Sequence, residues 1–213
     1  MIICDRMKKN PATATPDMSI SEASAKMKAE KAHRLPVLDN EKHLVGIISE
    51  KDILLAAPSP ASTLSTYEIN YLLSRLKVKN IMSRNPLTIT KTTTIEEAVK
   101  LMVENDLSCL PVMENGYMAG IVSKSDLFKI LLELLGDKHE GIRVEALVDD
   151  KVGVMASLSE QFTKAGINIL SLGTMDGTSD DTKVLTFKLE NADEAQVRSI
   201  IEPVAKSLDI RQM

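Results

Sequence analysis

The stretch GIVSKSD at Gly120 to Asp126 repeats, with few changes, the stretch GIISEKD at Gly46 to Asp52. In each, a glycine precedes two β-branched residues and Ser-x-x-Asp, which predicts a buried strand running directly into a helix capped by the serine. The start of such a helix directs backbone N–H groups, a hydroxyl and a carboxylate into one small volume. N–H groups suit a phosphate and a carboxylate suits a ribose diol, so the pattern favours a nucleotide.

The same pattern also has a purely structural interpretation. Ser-x-x-Asp before an apolar run is an ordinary capping box, in which Asp52 or Asp126 folds back onto the N–H of the cap residue. A single copy would favour the cap. The residues around the two copies therefore decide between a cap and a binding site.

An internal repeat surrounds both stretches. Residues 7–37 align with residues 82–112 at an offset of 75 (82 − 7), which becomes 74 (120 − 46) after one deletion. The matched features are Asn10-Pro11 with Asn85-Pro86, Thr13 with Thr88, and Leu35-Pro36-Val37 with Leu110-Pro111-Val112. The chain contains the same module twice.

Each module is predicted to hold a helix, two strands and a closing helix. Capping boxes open the first helix at Ser19 and at Thr94. The strands are predicted at 35–38 and 44–48 in the first copy and at 110–113 and 117–122 in the second. We expect the modules to pack about a pseudo-twofold axis, because this buries the apolar faces of both closing helices.

The modules are assigned to residues 1–58 and 78–136, with a linker at 59–77. The sequence APSP at Ala57 to Pro60 predicts a loop. The apolar residues of the linker recur at the spacing of a helix face and predict a linking helix; they are Ile69, Leu72, Leu73 and Leu76.

A second domain is predicted over residues 141–213. Apolar residues alternate from Ile142 to Val148, as in a strand with one buried face, and a helix follows up to Gly166. Strands are predicted at 167–172 and 183–189, with a polar hairpin loop over 173–181. Apolar spacing from Val197 to Leu208 predicts a helix, kinked or split at Pro203, before an edge strand at 209–213. The order βαββαβ indicates a ferredoxin-like unit and an α+β fold class.

Composition excludes several functional classes. The net charge is −4, tryptophan is absent and aromatic residues make up 3%, which argues against nucleic-acid binding. There is no apolar run long enough for a membrane span, and the charged N-terminal stretch is unlike a signal peptide, so a cytoplasmic protein is expected.

Cys4 and Cys109 are expected as reduced thiols. No metal-ligand spacing, no partnered nucleophile and no P-loop occurs in the sequence, so neither a metal site nor an enzyme is expected.

The repeated motifs NP-x-T, HRLPV or SCLPV, and G-h-h-S-x-x-D resemble a pair of CBS domains over residues 1 to 136. The βαββαβ unit resembles an ACT domain. It has the Ala-Gly-x-Asn-Ile turn at 165–169, and Val152-Gly153 where that family more often has Pro-Gly. The combination, a pseudo-twofold CBS pair followed by an ACT domain, is similar to the acetoin utilisation protein B family.

The resemblance implies two clefts, each combining the Ser-x-x-Asp of one module with the early loop and middle strand of the other. Aspartate would accept from the ribose hydroxyls, and backbone near Thr13 or Thr88 would contact the adenine edge. The first cleft comprises Ser49, Lys51, Asp52, Ser83, Thr88, Ser108 and Leu110. The second comprises Ser123, Ser125, Asp126, Lys8, Thr13, His33, Arg34 and Leu35.

The two clefts are not expected to be equal. Arg34, with its planar guanidinium, is assigned to the cleft of Asp126, which predicts that this cleft prefers a phosphorylated nucleotide. The cleft of Asp52 is expected to be weaker or to take a less charged adenosyl ligand. The ligands implied are AMP, ADP or ATP, with S-adenosylmethionine or cyclic di-AMP as alternatives, and no cofactor is required. The ACT resemblance places an effector site at Asp149, Gly153 and Asn168.

The function implied is that of a cytoplasmic, allosteric regulatory protein that forms a homodimer and senses an adenosyl ligand. The ACT domain would serve as a second effector or dimerisation module and pass the signal to a regulated enzyme, with a link to acetoin utilisation. Two alternatives are open. One is an enzyme or enzyme subunit of acetoin catabolism, and the other is a constitutive scaffold whose Ser-x-x-Asp stretches are only caps.

Overall fold

The computed structural model describes residues 2–56, 65, 68, 71 and 75–213. The loop predicted at 57–60 and most of the predicted linking helix, including Ile69, Leu72 and Leu73, lie outside the described residues. The chain divides into two compact units, Met1–Leu127 and Phe128–Met213. We refer to them as unit 1 and unit 2.

Unit 1 holds the two predicted modules. The first contributes a 3₁₀ turn at Ile3–Asp5, β1 (Lys8–Lys9), α1 (Ile20–Ala29), β2 (Arg34–Leu38), β3 (Leu44–Ser49) and α2 (Glu50–Ala56). The second contributes α3 (Val78–Ile81), β4 (Ser83–Arg84), β5 (Ile89–Thr90), α4 (Ile95–Glu104), β6 (Cys109–Glu114) and β7 (Tyr117–Ser123), followed by α5 (Lys124–Leu134). Capping boxes open α1 at Ser19 and α4 at Thr94, as the sequence predicts.

The two modules exchange short strands. One sheet has the order β1-β7-β6-β5 and the other the order β2-β3-β4. Lys9 of the first module pairs with Gly120 of the second, and Arg84 of the second pairs with Gly46 of the first. Each module therefore completes its sheet with a strand from the other.

This exchange explains why the repeated motif begins with glycine. A Cβ atom on Gly46 would lie 2.6 Å from the Met82 sulfur and 2.9 Å from the carbonyl oxygen of Ser83. A Cβ atom on Gly120 would lie 2.8 Å from the Met7 sulfur and 2.8 Å from the carbonyl oxygen of Lys8. Both glycines allow the exchanged strand to approach closely.

The hydrophobic cores follow the same exchange. Ile3 and Met7, from the start of the chain, are buried in the core of the second module with Met102 and Leu110. Val78, from the start of the second module, is buried in the core of the first module, whose other buried members are Ala14, Ala23, Met27, Leu35, Val37 and Ile48. Neither module has a complete core without residues of the other.

Unit 2 contains a four-stranded antiparallel sheet and two helices. Its elements are β8 (Ile142–Asp149), α6 (Val154–Lys164), β9 (Asn168–Asp176), β10 (Thr182–Glu190), α7 (Glu194–Ile201) and β11 (Ala205–Gln212), the βαββαβ order expected from the sequence. The strand order is β11-β8-β10-β9. Alternate residues of β8 pack with Leu158 and Phe162 of α6 and Val197 and Ile201 of α7 to form the core.

Two boundaries in unit 2 differ from the prediction. Residues Gly173 to Asp176 were expected in a loop, but they extend β9 because they pair with Thr186 to Lys183 of β10. The helix expected to reach Leu208 ends at Ile201, before Pro203, which has no N–H to continue it. Leu208 lies instead in β11, opposite Ala146.

Candidate functional site

Both Ser-x-x-Asp stretches form capping boxes. In the first, the N–H and hydroxyl of Ser49 donate to Asp52 Oδ2 at 2.8 and 2.6 Å, and the N–H of Asp52 donates to Ser49 Oγ at 3.2 Å. In the second, Ser123 donates to Asp126 Oδ2 at 3.0 and 2.6 Å, and Asp126 N–H returns a bond of 3.3 Å. The cap interpretation therefore applies to both copies. Whether either copy also belongs to a binding site depends on the residues that surround it.

A cavity of about 260 Å³ opens beside Asp52 and is lined by residues of both modules. It brings together five of the seven residues predicted for this cleft, namely Ser49, Lys51, Asp52, Ser83 and Ser108. Thr88 is not among the lining residues, and Leu110 is fully buried in the core of the second module. Leu110 was predicted to line this cleft, but its side chain is buried in that core instead.

Arg34 lines this same cavity, although the sequence assigned it to the cleft of Asp126. The reason is the strand register. Arg34 lies directly opposite Ser49 in the antiparallel pair of β2 and β3, and cross-strand partners project from the same face of a sheet. The guanidinium is thereby placed beside the start of α2, together with Lys51.

Ser108 provides an unsatisfied polar group in the cavity wall. Its Oγ atom is buried and has no hydrogen-bond partner among the described residues. A buried hydroxyl without a partner costs free energy that a ligand could recover by bonding to it. This is the observation that most directly indicates a bound molecule.

Cys109 also contributes to the cavity wall. Its side chain is 8% exposed, and both it and Cys4 are free thiols, as expected. Burial raises the pKa of the Cys109 thiol, and the positive charge of Arg34 partly opposes that rise. Cys109 is therefore a neutral, weakly reactive thiol at neutral pH.

The residues predicted for the Asp126 cleft are placed unevenly. Lys8 lies opposite Ile121, two residues before Ser123 on β7. His33 Nδ1, in contrast, lies 2.8 Å from Glu50 Oε2, at the first residue of α2. Leu35 is fully buried in the core of the first module. His33 and Arg34 thus both lie on the Asp52 side, whereas Ser125 is exposed at the start of α5 and Thr13 is half-buried.

Several cavity residues were not predicted from the sequence. They are Ile47, Pro86, Leu87, Asp106, Leu107, Cys109 and Pro111. The repeat carries a partial signal for one of them, because Asp106 aligns with Lys31 at the offset of 75, and both have positive φ, 48° and 50°. A turn conformation alone does not indicate that a residue faces a cavity.

The three residues of the expected ACT effector site are not brought together within one chain. Asp149 pairs with Thr182 at the start of β10, whereas Asn168 pairs with Glu190 at its end, about 26 Å away at the usual rise per strand residue. Asn168 Nδ2 donates to Glu190 Oε2 at 3.1 Å. Gly153, with φ of 94°, precedes α6.

Asp149 is already engaged by two lysines. Lys151 and Lys206 each approach one of its carboxylate oxygens at 2.6 Å. Hydrogen bonds from Lys151 and Lys206 lower the pKa of Asp149 to about 2. An effector that used this carboxylate would have to displace a lysine.

The described part of the chain shows neither a metal-binding cluster nor a membrane-spanning helix. No cluster of three or more His, Cys, Asp or Glu side chains there could hold a metal ion. None of the helices described is both long and apolar enough to cross a membrane.

Solved structures of CBS-domain proteins resemble this chain over about two thirds of its length. CBSX2 of Arabidopsis thaliana, solved in complex with AMP, is 29% identical with a TM-score of 0.53, covering 62% of this chain and 97% of its own. The CBS domain pair of protein MJ0100, in complex with 5′-methylthioadenosine and S-adenosyl-L-methionine, is 25% identical with a TM-score of 0.52, covering 65% and 98%. A Vibrio cholerae protein assigned to acetoin utilization (AcuB) has a TM-score of 0.54 over 65% of this chain and 95% of its own, and at 24% identity it shows the fold alone.

Sequence comparison agrees with the structural likeness. A CBS domain-containing protein of Dictyostelium discoideum is 35% identical over 136 residues, which cover 63% of this chain and 94% of that protein. The CBS domain family matches residues 3–59 and 78–133, the two modules that the internal repeat defines. This chain is therefore a member of the CBS domain family, with CBS domains at residues 3–59 and 78–133.

Proposed function

We propose that this chain is a regulatory protein whose CBS pair binds an adenine nucleotide in the cavity beside Asp52. The observation that carries the proposal is the unpartnered hydroxyl of Ser108 in a cavity that also holds Arg34 and Lys51. The two modules together supply two cations and a hydroxyl without a partner. A nucleoside phosphate would pair with the cations and form a hydrogen bond with the hydroxyl.

The cavity offers a separate partner for each part of a nucleotide. Arg34 and Lys51 would bind the phosphate, because charge-assisted hydrogen bonds from guanidinium and ammonium groups are the strong ones. Asp52 holds the cap through Oδ2, and Oδ1 would accept from the ribose hydroxyls. The apolar side chains of Ile47 and Leu87 would contact the base.

The charges of the cavity favour a ligand with a single phosphate. Two cations, Arg34 and Lys51, face two carboxylates, Asp52 and Asp106. Each further phosphate would add negative charge without adding a cation. We therefore expect affinity to fall in the order AMP, ADP, ATP. The AMP bound by CBSX2 supports this class of ligand.

The cleft of Asp126 is proposed as the weaker site, reversing the order expected from the sequence. Its capping box is the same, but Cys109 lies opposite Ser123 where Arg34 lies opposite Ser49. A thiol gives a phosphate no charge partner. A less charged adenosyl ligand, such as the S-adenosyl-L-methionine and 5′-methylthioadenosine bound by protein MJ0100, suits this cleft better.

Unit 2 is proposed as an ACT domain that acts as a second effector or dimerisation module. A nucleotide that bridges the two modules would stabilise one arrangement of them, and it can shift an equilibrium only by its difference in affinity for the two states. The proposal includes a homodimer and a regulated enzyme as the receiver of the signal. A role in acetoin utilisation is supported only by the fold shared with the Vibrio cholerae protein.

Calorimetric titration of the full chain with AMP and with adenosine tests the proposal. Arg34→Met should weaken AMP binding by about tenfold or more and leave adenosine binding nearly unchanged. Asp52→Asn keeps an oxygen for the cap and should weaken both ligands. Asp126→Asn is the matched control. If Asp126→Asn removes AMP binding while Asp52→Asn retains it, the assignment of the clefts is wrong.

The complete capping boxes keep one alternative open, a scaffold in which both stretches are only caps. Thermal melts separate the two, since a ligand at a hundredfold its dissociation constant stabilises the folded state by about 2.7 kcal/mol. The absence of a shift with AMP, ADP, ATP, S-adenosylmethionine and cyclic di-AMP would favour the scaffold.

A further inference from the structure

One face of the unit 2 sheet carries two rows of polar residues. Leu185, Phe187 and Leu189 of β10 point into the core, so Thr186 and Lys188 lie on the opposite face. Strand register aligns Lys188 with Arg143 and Arg143 with Arg211, which makes a row of three cations across β10, β8 and β11. The next row aligns Thr186 with Glu145 and Glu145 with Asp209.

Two of the three cations have a carboxylate partner on their own strand. Arg143 Nη2 lies 2.9 Å from Glu145 Oε2, and Arg211 Nε lies 2.7 Å from Asp209 Oδ2. On β10 the corresponding position is Thr186, which has no charge. Among the described residues, Lys188 has no acidic partner within ion-pair distance.

Both residues on β10 are also buried. Lys188 is 5% exposed and Thr186 is 8% exposed. The hydroxyl of Thr186 is buried and has no hydrogen-bond partner in the described part of the chain. A largely buried lysine side chain with no counterion among the described residues, a like charge directly across the strand pair and an orphaned hydroxyl each cost free energy.

A cavity of about 360 Å³ lies over this position. Its floor includes Arg143, Thr186 and Lys188, and apolar side chains from the end of α5 and the end of the chain, Leu132, Leu135 and Met213, form part of its wall. Gly136, two residues after the end of α5, has a φ of 74° and lies in a turn where Asp137 N–H donates to the carbonyl of Leu132. This turn packs so closely on Lys188 that a Cβ atom on Gly136 would lie 3.2 Å from Lys188 Cγ.

From this arrangement we infer that the cavity binds a small monocarboxylate with a short apolar chain. The ligand carboxylate accepts from Lys188 Nζ and Thr186 Oγ1. It thus serves Lys188 as Glu145 serves Arg143 on β8 and as Asp209 serves Arg211 on β11. The apolar chain contacts Leu132, Leu135 and Met213. At the rim, Lys138 pairs with Glu133, so the exposed carboxylates of Asp137 and Glu140 disfavour ligands with more than one negative charge.

Titration of the full chain with sodium isovalerate, at ionic strength matched with sodium chloride, tests this inference. We expect saturable binding by calorimetry and a rise in the midpoint of thermal unfolding. Lys188→Met should weaken binding by about tenfold or more, because it removes a charge-assisted hydrogen bond. Lys183→Met, a lysine on the same strand that pairs with Asp176, is the matched control and should leave binding unchanged.

Thr186→Glu provides an independent readout that does not depend on the ligand. The new carboxylate should pair with Lys188, raise the unfolding midpoint of the ligand-free chain and abolish isovalerate binding. Three results would overturn the inference: no saturable binding, equal binding of the neutral alcohol 3-methylbutanol, or binding of inorganic phosphate in preference to isovalerate. A Thr186→Glu chain that unfolds at a lower temperature and still binds isovalerate would do so as well.

Discussion

The stretches Gly46–Asp52 and Gly120–Asp126 have nearly the same sequence and the same capping box, yet different neighbours. Arg34 lies opposite Ser49, and Cys109 lies opposite Ser123. The local motif accounts for the glycine, the strand end and the start of the helix in both copies. The clefts differ at this cross-strand position and within the motif, where Lys51 of the first copy corresponds to Ser125 of the second. The shared part of the motif therefore does not by itself specify a phosphate site.

The largest effect is expected from adding a methyl group to either glycine. Gly46→Ala and Gly120→Ala would each place a Cβ atom within 3 Å of a methionine sulfur and a backbone oxygen of the exchanged strand. Each should lower the free energy of unfolding by about 1–3 kcal/mol, measured by urea denaturation. Gly173→Ala is the control, because nothing lies within 4 Å of its added Cβ. Equal losses would confirm that the two modules are structurally equivalent, and a loss in only one would contradict it.

Exchanging the two cross-strand residues should exchange the roles of the clefts. Arg34→Cys should weaken AMP binding by about tenfold or more. Adding Cys109→Arg should restore binding, because it puts a guanidinium opposite Ser123 and at the wall of the Asp52 cavity that Cys109 lines. Calorimetry with Asp52→Asn and Asp126→Asn in the exchanged background shows which carboxylate the restored binding requires. Dependence on Asp126 would show that the cross-strand position sets the phosphate site, whereas continued dependence on Asp52 would show that the introduced guanidinium acts from the wall of the Asp52 cavity.

Alkylation of Cys109 reports on occupancy of the Asp52 cavity. Burial raises the pKa of this thiol above its ordinary value of 9.0, so the thiolate forms only at alkaline pH. In a Cys4→Ser chain, reaction with N-ethylmaleimide should be slow at neutral pH, accelerate as the pH rises above 9, and slow again when AMP is added. A rate at neutral pH equal to that of an unfolded peptide thiol would show that Cys109 is not buried as described.

The smallest effect is expected at Ser108. Ser108→Ala removes a hydroxyl that has no partner in the ligand-free protein, so the free energy of unfolding should stay the same or rise slightly. The AMP complex should lose about 0.5–1.5 kcal/mol, the value of one neutral hydrogen bond. Unchanged AMP affinity would show that the hydroxyl does not contact the ligand.

Much of the fold followed from the sequence because its signals are local. The repeat, the capping boxes at Ser19 and Thr94, and the alternation of β8 depend on residues close together in the chain. The errors arose where partners are distant. Pairing with β10 extends β9 through Gly173 to Asp176, although a polar stretch containing glycine is typical of a loop.

The site was predicted less completely for the same reason. Asp52, Lys51 and Ser108 were assigned to one cleft through the resemblance to CBS domain pairs, and all three line one cavity. Arg34 was assigned to the cleft of Asp126, whereas it lines the cavity of Asp52. Its position depends on the register between β2 and β3, which cannot be deduced from the sequence. The row formed by Lys188, Arg143 and Arg211 likewise depends on pairing between strands far apart in the chain.

The exchange of β1 and β4 makes the CBS pair the covalent equivalent of a dimer. A protein with one such module would complete its sheet from a second copy, and both of its clefts would then carry identical residues. Joining the modules in one chain removes that constraint, so an arginine can stand at one position while its counterpart is a cysteine. A single polypeptide can therefore distinguish two ligands that a dimer of single modules would have to treat alike.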